Sequence, residues 1–239
     1  FSPSPLYLLP LLMNPKERAA EAALEYVEND MVVGLGTGST ADYILIAIAR
    51  EIKAGRLKGI RGIPTSKHSE ARAIEVGIPL TTLAQCPSPD VTIDGADEVA
   101  PNLDVIKGLG GALVREKVVA QCTRKLIIIA DASKRVNRLG TRSPLPVEVI
   151  RFAHEASAVY LRSLGCVPTL RLTADGTPYI TDNSNYIYDC AFLPAGMANP
   201  ADIQERILHR AGLVDSGLFL GMASVAIIAG ESDCETLRR

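Results

Sequence analysis

An acidic turn and a nearby amine are the residues of this sequence best suited to proton transfer. The turn Asp94-Gly95-Ala96-Asp97-Glu98 follows the apolar residues 91–93, and Lys107 and Glu116 come shortly after it in an otherwise apolar, glycine-containing stretch. The apolar residues predict a buried strand, and ligands of α/β folds bind beyond the carboxyl ends of parallel strands. We therefore expect these carboxylates and the amine to lie in a functional site and not on a solvated loop.

The glycine loop Gly34-Leu35-Gly36-Thr37-Gly38-Ser39-Thr40 is a second candidate site. An apolar run precedes it, and apolar residues recur at helical spacing from Ala41 to Ile52, which predicts a strand, a loop and a helix. Free amides, hydroxyls and a helix N-terminus are suited to bind a phosphate. Because the loop lacks both the P-loop lysine and the dinucleotide glycine spacing, a small phosphorylated metabolite is favoured over a nucleotide. A tight turn without a ligand is the alternative.

A polar motif follows each of four predicted strands. Besides the two motifs above, residues 60–63 precede Pro64-Thr65-Ser66-Lys67, and residues 126–130 precede Asp131-Ala132-Ser133-Lys134. Since the carboxyl ends of parallel strands share one edge of a sheet, we expect the motifs to converge on one crevice. Lys16 lies in the first turn of a helix that starts at Pro15, where a cation is unfavourable unless an anion is nearby. An exposed lysine is the alternative.

The composition excludes several classes of function. The chain has 239 residues, of which 47% are hydrophobic and 22% charged, as is usual for a packed protein. A net charge of −2 gives no general attraction for nucleic acid or an anionic membrane, and no apolar run is long enough to span a bilayer. The five cysteines and three histidines lack metal-ligand spacing, which predicts free thiols, a reducing cytoplasmic location and no metal.

The pattern of elements changes near Pro146. Strand-like and helical stretches then follow in the order strand, helix, strand, strand, helix, strand, and the last of these strands is predicted over 214–220. This order is typical of a split βαβ module. A further apolar strand over 224–229 is expected to rejoin the first sheet. Residues 1–12, which are uncharged and rich in proline and leucine, are interpreted as an N-terminal extension.

The motifs, taken together and in order, resemble those of the type A ribose-5-phosphate isomerase family. The similarity extends from about Pro15 to Thr236. It is carried by Gly36-Thr37-Gly38-Ser39-Thr40, Thr65-Ser66, Asp94-Gly95-Ala96-Asp97-Glu98, the stretch from Lys107-Gly108 to Lys117, Asp131-Ala132-Ser133-Lys134, Leu145-Pro146-Val147-Glu148-Val149 and Thr181-Asp182-Asn183. One such motif would be weak evidence, but the ordered set is specific.

This resemblance implies an α/β fold in which a Rossmann-like parallel-sheet domain carries an inserted, smaller ferredoxin-like α+β domain. The implied boundaries are 13–143 plus 216–239 for the first domain and 144–215 for the second. The implied activity is a metal-independent aldose-ketose isomerisation of D-ribose 5-phosphate and D-ribulose 5-phosphate, without a cofactor. The implied partners are a small-molecule sugar phosphate and further copies of the chain, in a homodimer or homotetramer.

The resemblance also implies roles for individual residues. Glu116 matches the general base, Asp94 and Asp97 the acidic pair that binds substrate, and Lys107 the amine beside the reacting oxygens. The other expected substrate-binding residues are Lys16, Thr37, Gly38, Ser39, Thr40, Gly95, Ala96, Gly108, Leu109, Gly110 and Lys134. Leu109 replaces a glycine that many family members carry. We expect a negative φ there, which leaves unusual conformations to Gly108, Gly110 or Gly111.

Other interpretations exist for single residues and for the whole chain. Glu116, between Arg115 and Lys117, could be a solvated helix charge, and the lysines and aspartates taken singly could be surface or turn residues. A sugar-phosphate deaminase, a coenzyme A transferase or a sugar-phosphate-binding regulatory domain are rival functions, because similar folds host different chemistry. The presence of both Glu116 and Lys107 favours catalytic turnover.

Overall fold

The computed structural model describes residues 13–239, so the extension predicted over 1–12 lies outside the described residues. The helices are α1 Pro15–Ala23, α2 Ser39–Lys53, α3 Lys67–Val76, α4 Leu113–Cys122, α5 His154–Arg162 and α6 Pro200–Leu208. The strands are β1 Val32–Leu35, β2 Arg61–Pro64, β3 Val91–Gly95, β4 Glu98–Val99, β5 Val105–Ile106, β6 Leu126–Asp131, β7 Leu145–Val149, β8 Val167–Leu170, β9 Tyr186–Ala191, β10 Leu213–Ser216, β11 Leu218–Phe219, β12 Ala223–Ala229 and β13 Cys234–Arg238. Within the described range, no helix combines the length and the apolar character needed to cross a bilayer.

Six strands form a sheet that is parallel except at one edge. Their order is β13-β12-β6-β3-β1-β2, and among these strands only β13 runs antiparallel to its neighbour. β1 is buried along its whole length and β6 is buried up to its last residue, as expected for a sheet covered on both faces. The predicted return of a C-terminal strand to this sheet is confirmed, since β12 lies beside β6.

Local caps start α1, where the sequence predicts a helix, and α3, which is not predicted from the sequence. Asn14 Oδ1 accepts the N–H of Glu17 at 3.0 Å, directly before Pro15 at the first position of α1. Ser66 and Ser69 form a reciprocal capping box at the start of α3. α1 and α2 then pack against the valines and isoleucines of β1, β3, β6 and β12 in one apolar core. This packing fixes the position of the loop that precedes α2.

A smaller antiparallel sheet is built from the chain between β6 and β11. Its strand order is β10-β7-β9-β8, and α5 and α6 pack on it. The chain order β7, α5, β8, β9, α6, β10 is the predicted strand, helix, strand, strand, helix, strand. The predicted α/β fold with a parallel sheet and a smaller antiparallel unit is therefore confirmed. The domain boundaries 13–143 plus 216–239 and 144–215 stay predictions.

The prediction of one strand over 214–220 is wrong, because two short strands occupy this stretch. β10 pairs with β7, whereas β11 pairs with β5 in a third sheet of order β11-β5-β4. Gly217 lies between them, where its N–H donates to Pro146 O at 2.7 Å and its oxygen accepts the N–H of Lys107 at 2.9 Å. A Cβ at Gly217 would lie 2.1 Å from the Lys107 oxygen. Glycine therefore lets the chain cross between sheets directly against the backbone of Lys107.

Candidate active site

The loops after β1, β3 and β6 meet at the carboxyl edge of the main sheet. Together with the loop before α4 they enclose a cavity of about 250 Å³. Its lining residues are Lys16, Thr37, Gly38, Ser39, Thr40, Gly95, Ala96, Asp97, Lys107, Gly108, Gly110, Glu116 and Lys134. All of them belong to the predicted set. Of that set, Asp94, which is buried, and Leu109, which is exposed, do not line the cavity. Of the four motifs expected to share one crevice, the motif after β2 does not line it.

A buried lysine between two carboxylates forms the floor of this cavity. Lys107 Nζ lies 3.0 Å from Asp94 Oδ2 and 3.3 Å from Glu116 Oε2, and it donates to Gly95 O at 2.7 Å. All three ionisable side chains are at most 3% exposed. Asp94 Oδ1 also accepts the N–H groups of Thr37 and Gly95, whereas Glu116 Oε2 has no donor besides Lys107 within the described chain. Asp94 is therefore fixed, and Glu116 is held mainly by the charge of Lys107.

Burial and the charges of their neighbours shift the pKa values of Asp94, Lys107 and Glu116. It raises the pKa of Glu116 to about 8, with Lys107 opposing the shift and the negative charges of Asp94 and Asp97 adding to it. Burial likewise raises the pKa of Asp94 above its usual range, against the effect of Lys107. For Lys107, burial lowers the pKa, but the carboxylates of Asp94 and Glu116 outweigh it, and the net pKa is raised. Lys107 thus stays cationic, while the raised pKa of Glu116 brings its proton exchange close to neutral pH.

Glu116 lies in the first turn of α4, and both of its neighbours in the chain are anchored. Lys117, with a side chain only 2% exposed, pairs with Asp215 at 2.5 Å. Arg115 Nε donates to Asn183 Oδ1 at 2.9 Å. These two cations hold α4 against the chain that forms the smaller sheet, on either side of Glu116. The alternative of a solvated helix charge is therefore wrong for Glu116, which is 2% exposed.

The loop before α4 turns at two glycines. Gly108 has φ +101° and Gly111 has φ +86°, conformations that favour glycine. Leu109 and Gly110 are not among the described residues with positive φ, so the expectation for Leu109 is confirmed. The Leu109 side chain is 39% exposed, and its N–H donates to Asp97 Oδ2 at 3.0 Å. Leu109 therefore acts on the site through its backbone.

The other end of the cavity has the properties of a phosphate site. α2 begins at Ser39 after Gly38, and the first amides of a helix lack acceptors within the helix. Lys16 Nζ donates to Ser39 Oγ at 2.8 Å. Lys134 lines the same cavity from the 3₁₀ turn Ala132–Lys134. Two ammonium groups and a helix N-terminus thus form a local positive site in a chain whose net charge is −2.

Thr65 and Ser66 support the glycine loop from outside the cavity. Thr37 Oγ1 lies 2.8 Å from Thr65 Oγ1 and donates to Ser66 Oγ at 2.7 Å. The Thr65 hydroxyl in turn donates to the carbonyl of Leu35 at 2.9 Å. The sequence places this pair after β2 and within a family motif, but it assigns the pair no role. The position after a parallel strand was the available signal, because it brings both hydroxyls to the edge that carries Thr37.

Comparison with known proteins identifies the family. The sequence profile of the Ribose 5-phosphate isomerase A (phosphoriboisomerase A) family matches residues 61–233. The chain belongs to this family. The ribose-5-phosphate isomerase A of Synechococcus sp. (strain JA-3-3Ab) is 50% identical over 225 residues, which cover 94% of this chain and 96% of that relative. The resemblance inferred from the ordered motifs is therefore confirmed.

Solved structures of ribose-5-phosphate isomerases share the whole fold. The enzyme from Plasmodium falciparum superposes with a TM-score of 0.90 at 42% identity, over 94% of this chain and 97% of that one. A D-ribose-5-phosphate isomerase in complex with phospho-erythronic acid superposes with a TM-score of 0.91 at 37% identity, over 95% of this chain and 100% of that one. Both the parallel sheet and the smaller antiparallel unit are therefore features of ribose-5-phosphate isomerase A proteins.

Proposed function

We propose that this chain interconverts D-ribose 5-phosphate and D-ribulose 5-phosphate through an enediolate. The observation that carries the proposal is the Asp94–Lys107–Glu116 trio at one end of a cavity whose other end has the properties of a phosphate site. Membership of the ribose-5-phosphate isomerase A family supports the same reaction. A phosphate held at one end leaves the opposite, carbonyl end of a sugar chain beside the trio.

Glu116 is the proposed proton carrier. Isomerisation removes a proton from carbon 2 of the aldose and returns one to carbon 1, so a single carboxylate can serve both steps. The pKa of about 8 that burial gives Glu116 makes it a stronger base than an exposed carboxylate, and still leaves a useful fraction ionised near neutral pH.

Lys107 and the loop amides are the proposed stabilisers of the enediolate oxygens. The ammonium of Lys107 lies 3.3 Å from Glu116, so it is beside the carbon that loses the proton. The N–H groups of Gly108 and Gly110 make no hydrogen bond within residues 13–239, and both glycines line the cavity. Donors fixed before the reaction stabilise a developing oxyanion without a reorganisation cost.

The sequence leaves open which of Asp94 and Asp97 handles the substrate hydroxyls, and the geometry favours Asp97. Asp97 lines the cavity. Asp94 is 1% exposed and already receives the Lys107 ammonium and two backbone N–H groups. We therefore assign hydroxyl proton transfer and ring opening to Asp97, and assign to Asp94 the support of the Lys107 charge.

Phospho-erythronic acid, which occupies the related isomerase, fits this assignment by its chemistry. It is a four-carbon sugar acid with a phosphate at one end, and its carboxylate resembles the paired oxygens of an enediolate. In this chain we place its phosphate near Ser39 and its carboxylate near Lys107. It is therefore a suitable inhibitor for testing both ends of the site.

Measurement of ribulose 5-phosphate after incubation of the purified chain with ribose 5-phosphate tests the proposal. Family membership does not favour the regulatory-domain, deaminase or coenzyme A transferase alternatives. A regulatory domain would bind ribose 5-phosphate without producing ribulose 5-phosphate. A deaminase would release ammonia from an amino sugar phosphate. Either result, in the absence of isomerisation, would overturn the proposed activity.

The pH dependence of kcat/KM should reveal the raised pKa of Glu116. The base must be deprotonated, so kcat/KM should rise with pH through about 8, roughly tenfold per pH unit on the acid side. Steady-state rates between pH 5.5 and pH 9.5 would test this, with thermal unfolding at each pH as the control for integrity. A profile that is already flat at about pH 5.5, near the range of an ordinary glutamate, would contradict the assignment.

Isomerase activity should survive exhaustive chelation. Among residues 13–239 no group of three or more His, Cys, Asp and Glu side chains is arranged to hold a metal ion. In place of a metal ion, Lys107 supplies the positive charge beside the reacting oxygens. Dialysis against a chelator followed by rate measurement would test this. Loss of activity that a divalent cation restores would contradict it.

The double substitution Thr37→Ala and Ser39→Ala should mainly raise KM for ribose 5-phosphate, by about tenfold or more. Both residues line the cavity together with Lys16 and Lys134, where the phosphate is proposed to bind, and the phosphate does not react. Unphosphorylated ribose should be a poor substrate of the unmodified chain for the same reason. The measurement compares kcat/KM for ribose and ribose 5-phosphate. Similar values for the two sugars would remove the phosphate site from this end of the cavity.

The remaining expectations concern assembly and location. A sugar phosphate is the proposed small-molecule partner. Assembly into a homodimer or homotetramer and a cytoplasmic location stay predictions. Light scattering coupled to size-exclusion chromatography would measure the mass of the assembly directly against the 25.5 kDa chain.

A further inference from the structure

We propose that Arg171 is a positioning residue for this reaction, which aims the amide donors of the 107–111 loop and the Asp97 carboxylate at the substrate. The inference rests on the proposed isomerase function. Arg171 follows β8 in the smaller sheet and does not line the cavity, so it acts through the loop and not by touching substrate.

All three nitrogens of the Arg171 guanidinium donate hydrogen bonds. Nη1 donates to the carbonyls of Gly108 and Leu109 at 3.1 and 3.0 Å. Nε and Nη2 donate to the two carboxylate oxygens of Asp189 on β9 at 2.9 and 2.5 Å. The side chains of Arg171 and Asp189 are only 13% and 24% exposed. A two-point pair of this kind fixes the plane of the guanidinium, and with it the direction of Nη1.

The direction of those carbonyls determines the direction of the loop amides. The two peptide groups concerned are trans, so the N–H of each points away from its C=O. The Gly108 carbonyl points to Arg171, and the N–H of the same peptide, from Leu109, donates to Asp97 Oδ2 at 3.0 Å. The Leu109 carbonyl also points to Arg171, and the N–H of that peptide belongs to Gly110, which lines the cavity and has no acceptor within residues 13–239. Arg171 therefore fixes the direction of two N–H groups. That of Leu109 donates to Asp97, and that of Gly110 is free to donate to the substrate.

Tyr179 holds the far end of the same loop. A Cβ at Gly111 would lie 2.2 Å from the Tyr179 hydroxyl oxygen, so the ring packs directly on the glycine backbone. The Tyr179 N–H donates to the Arg171 carbonyl at 2.9 Å, and the Arg171 guanidinium lies 5.9 Å from the ring centroid. Arg171 and Tyr179 thus form one surface of the smaller unit, against which the loop rests.

The test is the substitution Arg171→Lys, with Arg50→Lys as the matched control. Lysine keeps the positive charge but not the fork, so it cannot hold Asp189 and both carbonyls together. We expect kcat for ribose 5-phosphate to fall about tenfold or more, because a misaimed oxyanion donor costs about 100-fold when lost entirely. Inhibition by inorganic phosphate, which probes only the phosphate end, should change by less than about threefold. Arg50 makes a similar two-point pair with Glu21 far from the loop, so its variant should keep the original kcat.

Asp189→Asn provides a second variant that keeps the shape of the pair and weakens the hold on Arg171. Its kcat should also fall, with inhibition by phosphate unchanged and a cooperative thermal transition retained. A fall in kcat of less than tenfold for Arg171→Lys overturns the proposal. So does an equal weakening of phosphate inhibition, because that pattern indicates a general structural role. If the unmodified chain produces no ribulose 5-phosphate, the proposed function itself has failed, and this result is distinct from either outcome for the variants.

Discussion

Replacing Glu116 with glutamine should lower kcat for ribose 5-phosphate by about 100-fold or more and leave KM within about threefold. The amide keeps the shape of the side chain but cannot accept the proton from carbon 2. Folding should be preserved, because the substitution removes a negative charge that burial disfavours. Lys107 keeps its second partner, Asp94, at 3.0 Å.

Initial rates for Glu116→Gln and for the control Glu155→Gln, whose side chain is 78% exposed on α5, would measure this effect. Thermal unfolding of both variants checks that each is folded. Solvent exchange provides an independent readout, since the unmodified chain in D₂O should incorporate deuterium into the sugar at the carbon that receives the proton. Near-original kcat in Glu116→Gln, or retained exchange, would remove Glu116 from the proton transfer.

Replacing Gly108 with alanine should lower kcat by about 100-fold or more, the scale of losing an oxyanion donor. Gly108 has φ +101°, which strains any residue with a side chain. A Cβ there would also lie 2.6 Å from the Cβ of Leu113, the first residue of α4, which is fully buried. Either the loop or α4 must move, and these two segments carry Lys107 and Glu116.

Gly110→Ala and Leu109→Gly are the matched controls within the same loop. Gly110 does not have a positive φ, and a Cβ there would be 3.9 Å from Thr37 Cγ2, an ordinary contact. The Leu109 side chain lies outside the cavity. We expect both variants to keep activity within about tenfold, since neither requires the loop to move. Equal tolerance of Gly108→Ala would show that the loop conformation does not shape the site.

The sequence by itself determines the order of elements and the location of the chemistry. Apolar periodicity is a local property of the chain, so it identifies the strands and helices that frame each motif. The position of four polar motifs after parallel strands then predicts one shared crevice. The motifs after β1, β3 and β6 supply residues to the cavity, whereas Thr65 and Ser66 after β2 lie outside it and support Thr37. The ordered motifs identify the family because residue type and spacing both match.

Only the tertiary structure decides how those residues are paired. Glu116 between Arg115 and Lys117 has the sequence of a solvated helix, and burial against the smaller sheet is what raises its pKa. The division of residues 214–220 into two strands depends on Gly217 meeting the backbone of Lys107, a residue far away in sequence. Gly108 and Gly110 differ in their tolerance of a side chain for the same kind of reason, because Leu113 lies against Gly108 and not against Gly110.

Arg171 shows most clearly what the sequence alone does not predict. Nothing in its local sequence connects it with the 107–111 loop, because the connection is made across two sheets by hydrogen bonds between residues more than sixty positions apart. Periodicity and propensity report interactions between near neighbours in the chain. Burial, ion pairing and the direction of a carbonyl group depend on which distant segments pack together. That packing is fixed only when the core forms.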